Sequence, residues 1–496
     1  MAKQHVRLHA VLILGLLRSA GCNLGLPNFP RLPVDTQPWF EGGHAETKPP
    51  PASVAIVCSE FAGIVPNGGI GTFYTTLAES LSRAGHLVTL LYTQGTRSHH
   101  PQFDSFSYWH EWYEAKGIEL LPLPAPSQQV RVGGYHAIVS YHVMEWLKDR
   151  KFDVVHFAEW QGHGYHTILA KFQGQQELEN TTVCLMTHGP LRWARESNDE
   201  TVESREDKEV DYMEQQSIKH AQVLISPSAY LIKWITSQGW ELPAHSRIHV
   251  QPYIMPQEAR RAVEAALKIT QKSDDSGKKF ASNGNVGVVP PWAGRTVDAS
   301  RALRHVTELV FFGRLEVRKG IVLFCDALDH LVSSPSQLPP GTRVTFLGSD
   351  RNKVGHVDGG MYARQRSVSW QGVDTQVITG YDTSAALAYM LGGERLAVLP
   401  SLVENSPLSL LELMGASVPF IASTAGGIPE AIHKADQSSV LFAPELHSLA
   451  AKILDILNKG IILPRPSMQV DANEEHWVKW HQVQAGQAVR RGDGEL

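Results

Sequence analysis

Short apolar runs alternate with amphipathic stretches along most of the chain. The first run, residues 54–58, leads into a glycine-rich turn, a helical pattern at 73–84 and a second apolar run at 86–92. A strand, a turn, a helix and a second strand form a β-α-β unit, in which the two strands are parallel. Continuous apolar runs are typical of strands that are covered on both faces. The pattern therefore predicts an α/β fold with a parallel sheet.

The same alternation continues on both sides of a polar segment. Further strands are predicted at 152–157, 183–187, 222–226, 308–313, 343–348, 395–400 and 419–423. The polar segment, 257–306, contains Ser, Asp, Gly, Lys and Asn and a Pro-Pro pair, which predicts a linker or an insertion. We therefore expect two Rossmann-like domains with parallel sheets that face a cleft. Their predicted bounds are 53–256 and 307–465, with a C-terminal tail at 466–496.

The start of the chain has a different pattern. Lys3 and Arg7 precede an apolar run at 8–17, and residues 23–52 are rich in Pro and Gly. This order is signal-peptide-like, although the run is shorter than the roughly 20 residues that span a bilayer. A signal or anchor and a simple apolar stub are both compatible with it. We treat 1–52 as an N-terminal segment outside the fold.

Composition narrows the class of protein. The 496 residues are 43% hydrophobic and 19% charged, which excludes a wholly disordered chain and a collagen. The net charge of −5 argues against a nucleic-acid partner, which usually binds a basic surface. The four cysteines form no C-x-x-C motif, so a zinc ribbon is not indicated and a reducing compartment is the simpler assumption.

One loop of the second half carries closely spaced cations. Arg314 and Lys319 follow the strand at 308–313 and precede a helix that starts near Gly320. An arginine fork and a lysine point charge can converge on a diphosphate. A solvated basic loop is the alternative interpretation.

A second loop leads into a helix N-terminus. Ser406 is a suitable N-cap and Pro407 a suitable first helical residue. The amides of Leu408 and Ser409 would then point out of the helix, where an anion can bind.

Two carboxylates flank this predicted anion site. Glu404 lies in the loop before the helix, and Glu412 lies one to two turns into it. Carboxylates beside a phosphate pocket are unfavourable unless they accept hydrogen bonds, and sugar hydroxyls are suitable donors. A capped helix with a surface glutamate is the alternative.

Glycine turns occur in both halves. Gly68 and Gly69 precede the first helix, and Gly426 and Gly427 follow the strand at 419–423. Glycine allows the backbone to approach a ligand closely, although a tight turn explains these residues equally well. The first turn is not G-x-G-x-x-G, so a nicotinamide site is not indicated. The charged stretch from Glu196 to Glu214 predicts a solvated surface segment.

In combination, these motifs resemble those of the retaining glycosyltransferases of family 4, which have the GT-B fold. Phe-Gly-Arg…Lys-Gly at 312–320, the Glu-x7-Glu from Glu404 to Glu412 and Gly-Gly-Ile-Pro-Glu at 426–430 are the most specific elements. The segments at 67–69, 153–160 and 187–189 are similar to the family's N-terminal signatures. Residues 476–481 resemble its last helix, which crosses back to the first domain.

The resemblance implies transfer of a sugar from a nucleotide-sugar donor to an acceptor, which can be a sugar, a glycan or a lipid. It implies that Arg314 and Lys319 bind the donor diphosphate and that Glu412 holds the ribose hydroxyls. It also implies that Glu404 contacts the donor sugar and that His188 lies near the sugar's reacting face. Because retaining members have no generally accepted protein nucleophile, His188 and Glu404 are candidate catalytic residues with positioning roles.

The remaining implied donor contacts come from the backbone. The amides of Leu408 and Ser409 match those that contact phosphate and sugar, and Gly68 and Gly69 match the glycine loop over the diphosphate. No cofactor is implied. No two aspartates lie two residues apart, so no Asp-x-Asp metal motif is present and a metal-independent enzyme is expected.

Two departures from the family pattern limit the resemblance. Family members often have an aromatic residue and then Gly after the first glutamate, where this chain has Asn405-Ser406-Pro407. Glycogen and starch synthases carry a lysine where this chain has Pro66, so that branch is set aside.

Other functions stay open. Another GT-B enzyme, such as a nucleotide-sugar epimerase, and a silent nucleotide-sugar-binding subunit are the alternatives. The presence of all four charged motif residues, Arg314, Lys319, Glu404 and Glu412, favours an active transferase. The family implies a cytoplasmic enzyme, whereas the signal-like start leaves membrane association as an alternative.

Overall fold

The computed structural model describes residues 51–65, 68–100, 103–125, 133–198, 200–257, 259–261, 304–333, 337–350 and 352–492. Two separate parallel sheets, each flanked by helices, contain all but one short hairpin of the strands in these ranges. The predicted α/β class with two parallel sheets is therefore confirmed. The N-terminal signal-like segment and most of the predicted 257–306 linker lie outside the described residues.

The first sheet has seven parallel strands in the order β3-β2-β1-β4-β5-β6-β7. Its strands are β1 Ser53–Cys58, β2 Leu87–Tyr92, β3 Ile118–Pro122, β4 Val154–Ala158, β5 Thr182–Met186, β6 Val223–Ser226 and β7 Ile248–Val250. Its helices are α1 Gly69–Arg83, α2 Phe106–Glu114, α3 Tyr135–Lys148, α4 Tyr165–Phe172, α5 Leu191–Ser197, α6 Arg205–His220 and α7 Ala229–Ser237. The side chains of β1 enter two apolar clusters alternately, as expected when both faces of a sheet are covered.

The second sheet has six parallel strands in the order β12-β9-β8-β13-β14-β15, and β10 and β11 form a small antiparallel pair. The strands are β8 Glu308–Phe312, β9 Arg343–Leu347, β10 Lys353–Val354, β11 Val357–Asp358, β12 Asp374–Ile378, β13 Arg395–Leu399, β14 Phe420–Ser423 and β15 Leu441–Phe442. The helices are α8 Ile321–Val332, α9 Gly359–Ser367, α10 Thr383–Leu391, α11 Leu408–Gly415, α12 Ile428–Ala431, α13 Gln437–Val440, α14 Leu446–Lys459 and α15 Val470–Gly492.

Two helices start at residues other than those that the sequence pattern predicted. Helix α1 begins at Gly69, four residues before the predicted start, because the glycines at 69 and 71 adopt helical geometry despite their low propensity. Helix α11 begins at Leu408, with Pro407 in extended geometry as the N-cap. The predicted assignment of Ser406 as N-cap and Pro407 as first residue is therefore wrong by one position.

The charged segment predicted to be solvated is partly buried. Helices α5 and α6 occupy it, and both Asp211 and Glu214 are buried. The Glu214 carboxylate accepts hydrogen bonds from the amides of Gln161, at 2.9 Å, and Leu191, at 2.8 Å. The prediction failed because this carboxylate satisfies backbone amides inside the fold rather than water.

The last helix crosses back to the first sheet, as predicted. In α15 the fully buried Trp477 donates its indole hydrogen to the Pro252 carbonyl at 3.0 Å. One turn later, the Nε2 atom of His481 lies 2.8 Å from Nε2 of His156 on β4. The helix therefore joins the C-terminal part of the chain to the first sheet through buried contacts.

Parallel sheets place the carboxyl ends of neighbouring strands at one edge, and ligands of open α/β folds bind at that edge.

Among the helices of the described ranges, none is long and apolar enough to cross a membrane.

Candidate functional site

The basic loop between β8 and α8 is fixed against the end of β13. Gly320 has a φ of +81°, and a Cβ atom at this position would overlap the carbonyl oxygen of Pro400. Only glycine accepts both conditions without strain. Alongside this contact, the Leu402 amide donates to the Arg318 carbonyl at 2.8 Å. The two loops that carry the predicted donor residues are thus held together by backbone contacts.

A cluster of alternating charges connects these loops. Glu404 forms an ion pair with the Lys319 ammonium and lies 3.5 Å from Nη1 of Arg318. Glu316 pairs with Arg318 at 3.1 Å and with Arg314 at 3.0 Å. Three cations and two carboxylates leave one excess positive charge, which suits an anionic ligand. The Arg314 side chain is 53% exposed, so its guanidinium remains accessible.

The buried carboxylate of Glu404 is kept ionised by its neighbours. Burial by itself would raise the pKa of Glu404, but the Lys319 and Arg318 charges outweigh burial and hold it below its ordinary value. Burial lowers the pKa of Lys319, and the attraction of Glu404 opposes that shift. We take the pair as ionised, because each charge is desolvated beside an opposite charge.

The N-terminus of α11 faces the glycine turn of the first domain. Leu408 is buried in an apolar cluster with Phe73 and Trp477, and a Cβ at Gly69 would lie 3.8 Å from Leu408 Cδ1. The Gly68 amide donates to the Glu60 carboxylate at 2.7 Å. The amides of Leu408 and Ser409 are the first two of the helix, which have no acceptor within a helix. Glu412 is buried one turn further along.

His188 lies at the end of β5 in an aromatic environment. Its Nδ1 atom is 2.7 Å from the Tyr253 hydroxyl, and the rings of Phe73 and Tyr74 pack against it. Burial lowers the pKa of His188 to about 3, so the imidazole is neutral at pH 7. Its buried Nε2 atom has no hydrogen-bond partner among the described residues.

Glu159 fixes the turn that carries His188. Its Oε1 atom accepts hydrogen bonds from the amides of His188 and Gly189, each at 2.6 Å. The side chain is fully buried, and burial raises the pKa of Glu159 to about 7. Glu159 belongs to the 153–160 signature, but nothing in its spacing predicted this role.

Asn405 connects the two domains beside Glu404. Its Nδ2 donates to the His188 carbonyl at 3.0 Å, and its Oδ1 accepts from the Ser228 hydroxyl at 2.5 Å. The departure from the family pattern therefore supplies a fully buried interdomain contact. Arg318 is the other residue that sequence reasoning passed over, because spacing does not distinguish it from Arg314 and Lys319.

The second glycine turn packs against the Glu404 loop. A Cβ at Gly426 or Gly427 would overlap the carbonyl oxygens of Glu404 or Asn405, and α12 is a single helical turn. Its Glu430 accepts hydrogen bonds from the Ala229 and Tyr230 amides at the start of α7. Of the two interpretations offered for this turn, the structure favours the structural one.

No group of three or more His, Cys, Asp or Glu side chains in the described part of the chain is arranged to hold a metal ion.

Comparison with known proteins assigns both halves of the chain. Residues 307–459 match the model described as "Glycosyl transferases group 1", and residues 68–253 match the "Glycosyl transferase 4-like domain". Together the matched segments cover more than half of the chain. The chain belongs to the group 1, family-4-like glycosyltransferases. The resemblance inferred from the motifs is thereby confirmed.

One group of curated relatives is similar to part of this chain. A glycogen synthase from Mycobacterium tuberculosis is 32% identical over 161 residues, which are 32% of this chain and 36% of that protein. The match thus spans about a third of the relative's length. The sequence analysis excluded the glycogen synthase branch because this chain has Pro66 where those enzymes have a lysine. Pro66 lies outside the described residues, so this exclusion stays a prediction.

Solved structures share the GT-B architecture. Sucrose-phosphate synthase from Thermosynechococcus elongatus aligns with a TM-score of 0.54 at 16% identity, and the alignment covers 89% of this chain and 99% of that chain. The catalytic domain of starch synthase IV from Arabidopsis thaliana aligns with a TM-score of 0.51 at 13% identity, and the alignment covers 90% of this chain and 98% of that chain. HepE from Anabaena aligns with a TM-score of 0.51 at 14% identity, and the alignment covers 90% of this chain and 100% of that chain. At these identities the similarity establishes the fold.

The raised pKa of Glu159 predicts a pH-dependent stability. A carboxyl whose pKa is higher in the folded state binds more protons when folded, so its contribution to stability falls as pH rises from its ordinary value through about 7. Relative to Glu159→Gln, whose amide oxygen still accepts both hydrogen bonds, the wild-type chain should lose about 2 kcal/mol of unfolding free energy between pH 5 and 8. Chemical denaturation at both pH values measures this difference, and parallel pH profiles would contradict it.

Asn405→Ala should loosen the interdomain contact. The substitution removes two buried hydrogen bonds, so amide hydrogen exchange at His188 and Gly189 and at 228–231 should accelerate about tenfold. Hydrogen-exchange mass spectrometry tests this, with Ser406→Ala, at the next position, as the matched control. Equal exchange in both variants would show that Asn405 does not hold the domains together.

Proposed function

We propose that the chain is an active retaining glycosyltransferase, which moves a sugar from a nucleoside-diphosphate sugar to an acceptor. The observation that carries the proposal is the Glu404–Lys319–Arg318 cluster beside the N-terminus of α11, joined through Asn405 to the His188 turn of the other domain. This arrangement offers positive charge and helix amides to a diphosphate and carboxylates to sugar hydroxyls, at the boundary between the domains.

The donor residues have separate roles in this proposal. Arg314 and Lys319 bind the diphosphate, together with the amides of Leu408 and Ser409. Glu412, further along α11, accepts hydrogen bonds from the ribose hydroxyls. Starch synthase IV was solved with ADP and HepE with UDP, which supports a nucleoside diphosphate as the leaving group.

The chemistry requires stabilisation of a leaving diphosphate. As the bond from the sugar's anomeric carbon to the phosphate oxygen breaks, negative charge grows on the diphosphate, and preorganised cations lower the free energy of that state. The acceptor hydroxyl attacks from the same face, and its proton passes to the departing phosphate oxygen. Glu404 orients the donor sugar and Lys319, and the neutral His188 positions the sugar's reacting face. Neither forms a covalent intermediate.

Two other functions are tested by the same assay. A silent nucleotide-sugar-binding subunit would bind donors but produce no glycoside, and an epimerase would alter the donor without an acceptor. The chain is incubated with UDP-, GDP- and ADP-glucose and a panel of sugar, glycan and lipid acceptors. Free nucleoside diphosphate together with an α-linked product, identified by NMR coupling constants, supports transfer with retention. A β-linked product, or an unchanged donor with every acceptor, contradicts it.

We also propose a cytoplasmic location. Cys58, Cys184 and Cys325 are buried free thiols, as is usual in a reducing compartment.

Substitutions should separate the two carboxylates. Glu412→Gln should weaken nucleoside-diphosphate binding more strongly than Glu404→Gln does, whereas Glu404→Gln should reduce turnover by about 10²-fold, the scale expected when one charged transition-state partner is lost. Lys319→Ala should reduce turnover by a similar factor. Calorimetric titration and initial rates measure the two effects, and exposed Glu445→Gln is the control. Equal losses of nucleotide affinity in both variants would refute the division.

Activity should survive exhaustive chelation. The positive charge that a divalent ion supplies to a diphosphate is available here from Arg314, Lys319 and the α11 N-terminus. Initial rates at saturating donor are compared before and after EDTA treatment. A loss that Mg²⁺ or Mn²⁺ restores would contradict this assignment of the diphosphate site.

A further inference from the structure

A cavity of about 350 Å³ lies in the first domain, away from the charge cluster. Its walls come from the turn after β4, from α5 and from the start of α6, with His136 of α3 on one side. We propose that this cavity binds part of the acceptor and selects a polyhydroxylated acceptor that bears no anionic group. The inference rests on the proposed transferase function and adds the chemical class of the second substrate.

The cavity is adjacent to the turns that lead to the reaction site. Trp160 and Gln161 line it and directly follow Glu159, whose carboxylate holds the His188 turn. Trp160 also packs against the apolar cluster that contains Phe73 and Leu408. Helix α5 lines the cavity with Leu191 and Ala194, while its Trp193 ring lies 5.6 Å from the Arg318 guanidinium. The cavity and the charge cluster therefore both border helix α5, and an α-helix is about 10 Å wide.

Two walls are fixed by one buried carboxylate. Gln161 has a φ of +65°, a left-handed geometry that costs a non-glycine residue roughly 1–2 kcal/mol. Its amide and that of Leu191 both donate to Glu214, which is fully buried. The strained turn and the start of α5 are therefore held at a defined separation. A side-chain amide placed in this way offers a donor and an acceptor to sugar hydroxyls.

A histidine pair orients one further wall. Thr93 Oγ1 lies 3.2 Å from His163 Nδ1, and His163 Nε2 lies 3.1 Å from His136 Nδ1. His136 Nε2 then lies 3.7 Å from Glu206. Burial lowers the pKa of His136, although Glu206 and Glu209 oppose that shift, so the ring is neutral at pH 7 and above. It therefore adds no positive charge to the cavity.

The lining charge is acidic. Glu200, Glu206 and Asp207 contribute three carboxylates, and Arg195 is the only cation among the lining residues that the structure describes. Arg195 is already paired with Glu200 at 2.6 Å and with Asp207 at 3.3 Å. A phosphate or carboxylate on the ligand would meet net negative charge with no uncommitted cation, which is unfavourable. Hydroxyl and amino groups donate hydrogen bonds to carboxylates instead.

The size and the aromatic wall fit a sugar. Pockets for small molecules start at about 300 Å³, so this cavity accommodates a sugar-sized part of an acceptor rather than a large glycan. Trp160 supplies an aromatic surface against which the apolar face of a sugar ring can pack. Aromatic, amide and carboxylate groups in one cavity are the combination that a neutral or amine-bearing sugar requires.

The test measures binding directly, without relying on turnover. Saturation-transfer NMR is recorded with the full chain and maltose, glucosamine or glucose 6-phosphate at equal concentration, with excess UDP, GDP and ADP present to occupy the charge cluster. Maltose or glucosamine should give signals at least threefold stronger than those of glucose 6-phosphate. Equal signals from all three sugars would overturn the proposal. The absence of a signal from both maltose and glucosamine at 10 mM would overturn it as well.

Two variants locate the binding in the cavity. Glu206→Lys should weaken the signals of maltose and glucosamine at least threefold and strengthen that of glucose 6-phosphate, while Glu203→Lys, on the same segment but outside the cavity lining, should change neither. Gln161→Gly relieves the left-handed geometry and removes the amide, so it should weaken sugar binding without lowering stability. Unchanged binding in both cavity variants would overturn the proposal.

The outcome is separable from that of the proposed function. Sugar binding that follows these variants, combined with no transfer from any donor, would leave the cavity assignment intact and reject the transferase. Sugar transfer, combined with sugar binding that is the same in the variants as in the wild type, would support the transferase and reject the cavity assignment. Nucleoside-diphosphate affinity should be the same in all of these variants, because none of the substituted residues contacts the charge cluster.

Discussion

The buried ion pair between Glu404 and Lys319 is the interaction on which the site depends. A carboxylate in this position is unfavourable without its partners, and removal of one partner of a buried pair typically costs about 3–5 kcal/mol. Lys319 and Arg318 come from the loop after β8, and Glu404 comes from the loop after β13. The pair therefore fixes two loops relative to each other at the edge of the second sheet. The same fixation brings the start of α11 beside the cations.

The second constraint is the alignment of the two domains. Asn405 bonds to the His188 carbonyl and to Ser228, Glu430 accepts hydrogen bonds from the amides at the start of α7, and Trp477 of the returning helix α15 is buried on the first sheet. These contacts involve backbone groups and buried side chains, which restrict position more tightly than exposed ion pairs do. The neutral His188 is consequently placed against the loop that carries Glu404. A donor bound to one domain and an acceptor bound to the other would then meet.

Local sequence patterns predicted the α/β class and the main strands because these features depend on apolar periodicity and glycine position, whereas the returning helix was expected only from the family resemblance. They also brought Arg314, Lys319, Glu404 and Glu412 to attention through their spacing. They did not predict that Asn405 contacts His188, which lies 217 positions away in sequence, because such a contact exists only after both domains have packed. The start of α11 was misplaced by one residue, since local capping preference competes with the packing of Leu408.

The buried acids of the first domain escaped prediction for a related reason. Glu214 belongs to a charged stretch that suggests solvent exposure and Glu159 directly follows a predicted strand, yet both lie inside the fold with backbone amides as partners. A sequence shows the charge of a residue but not which amides it will satisfy. These carboxylates position the His188 turn and the cavity walls, so residues to which the sequence analysis gave no role shape the first domain's part of the site.

The most direct measurement is a crystal structure of the chain with the nucleoside diphosphate that stabilises it most strongly in a thermal-shift panel of UDP, GDP and ADP. Our account predicts that diphosphate oxygens lie within hydrogen-bond distance of Lys319 Nζ and the Arg314 guanidinium. It also predicts that the ribose hydroxyls bind the Glu412 carboxylate. A nucleotide bound at another edge of the molecule, or one whose phosphates contact neither cation, would contradict it.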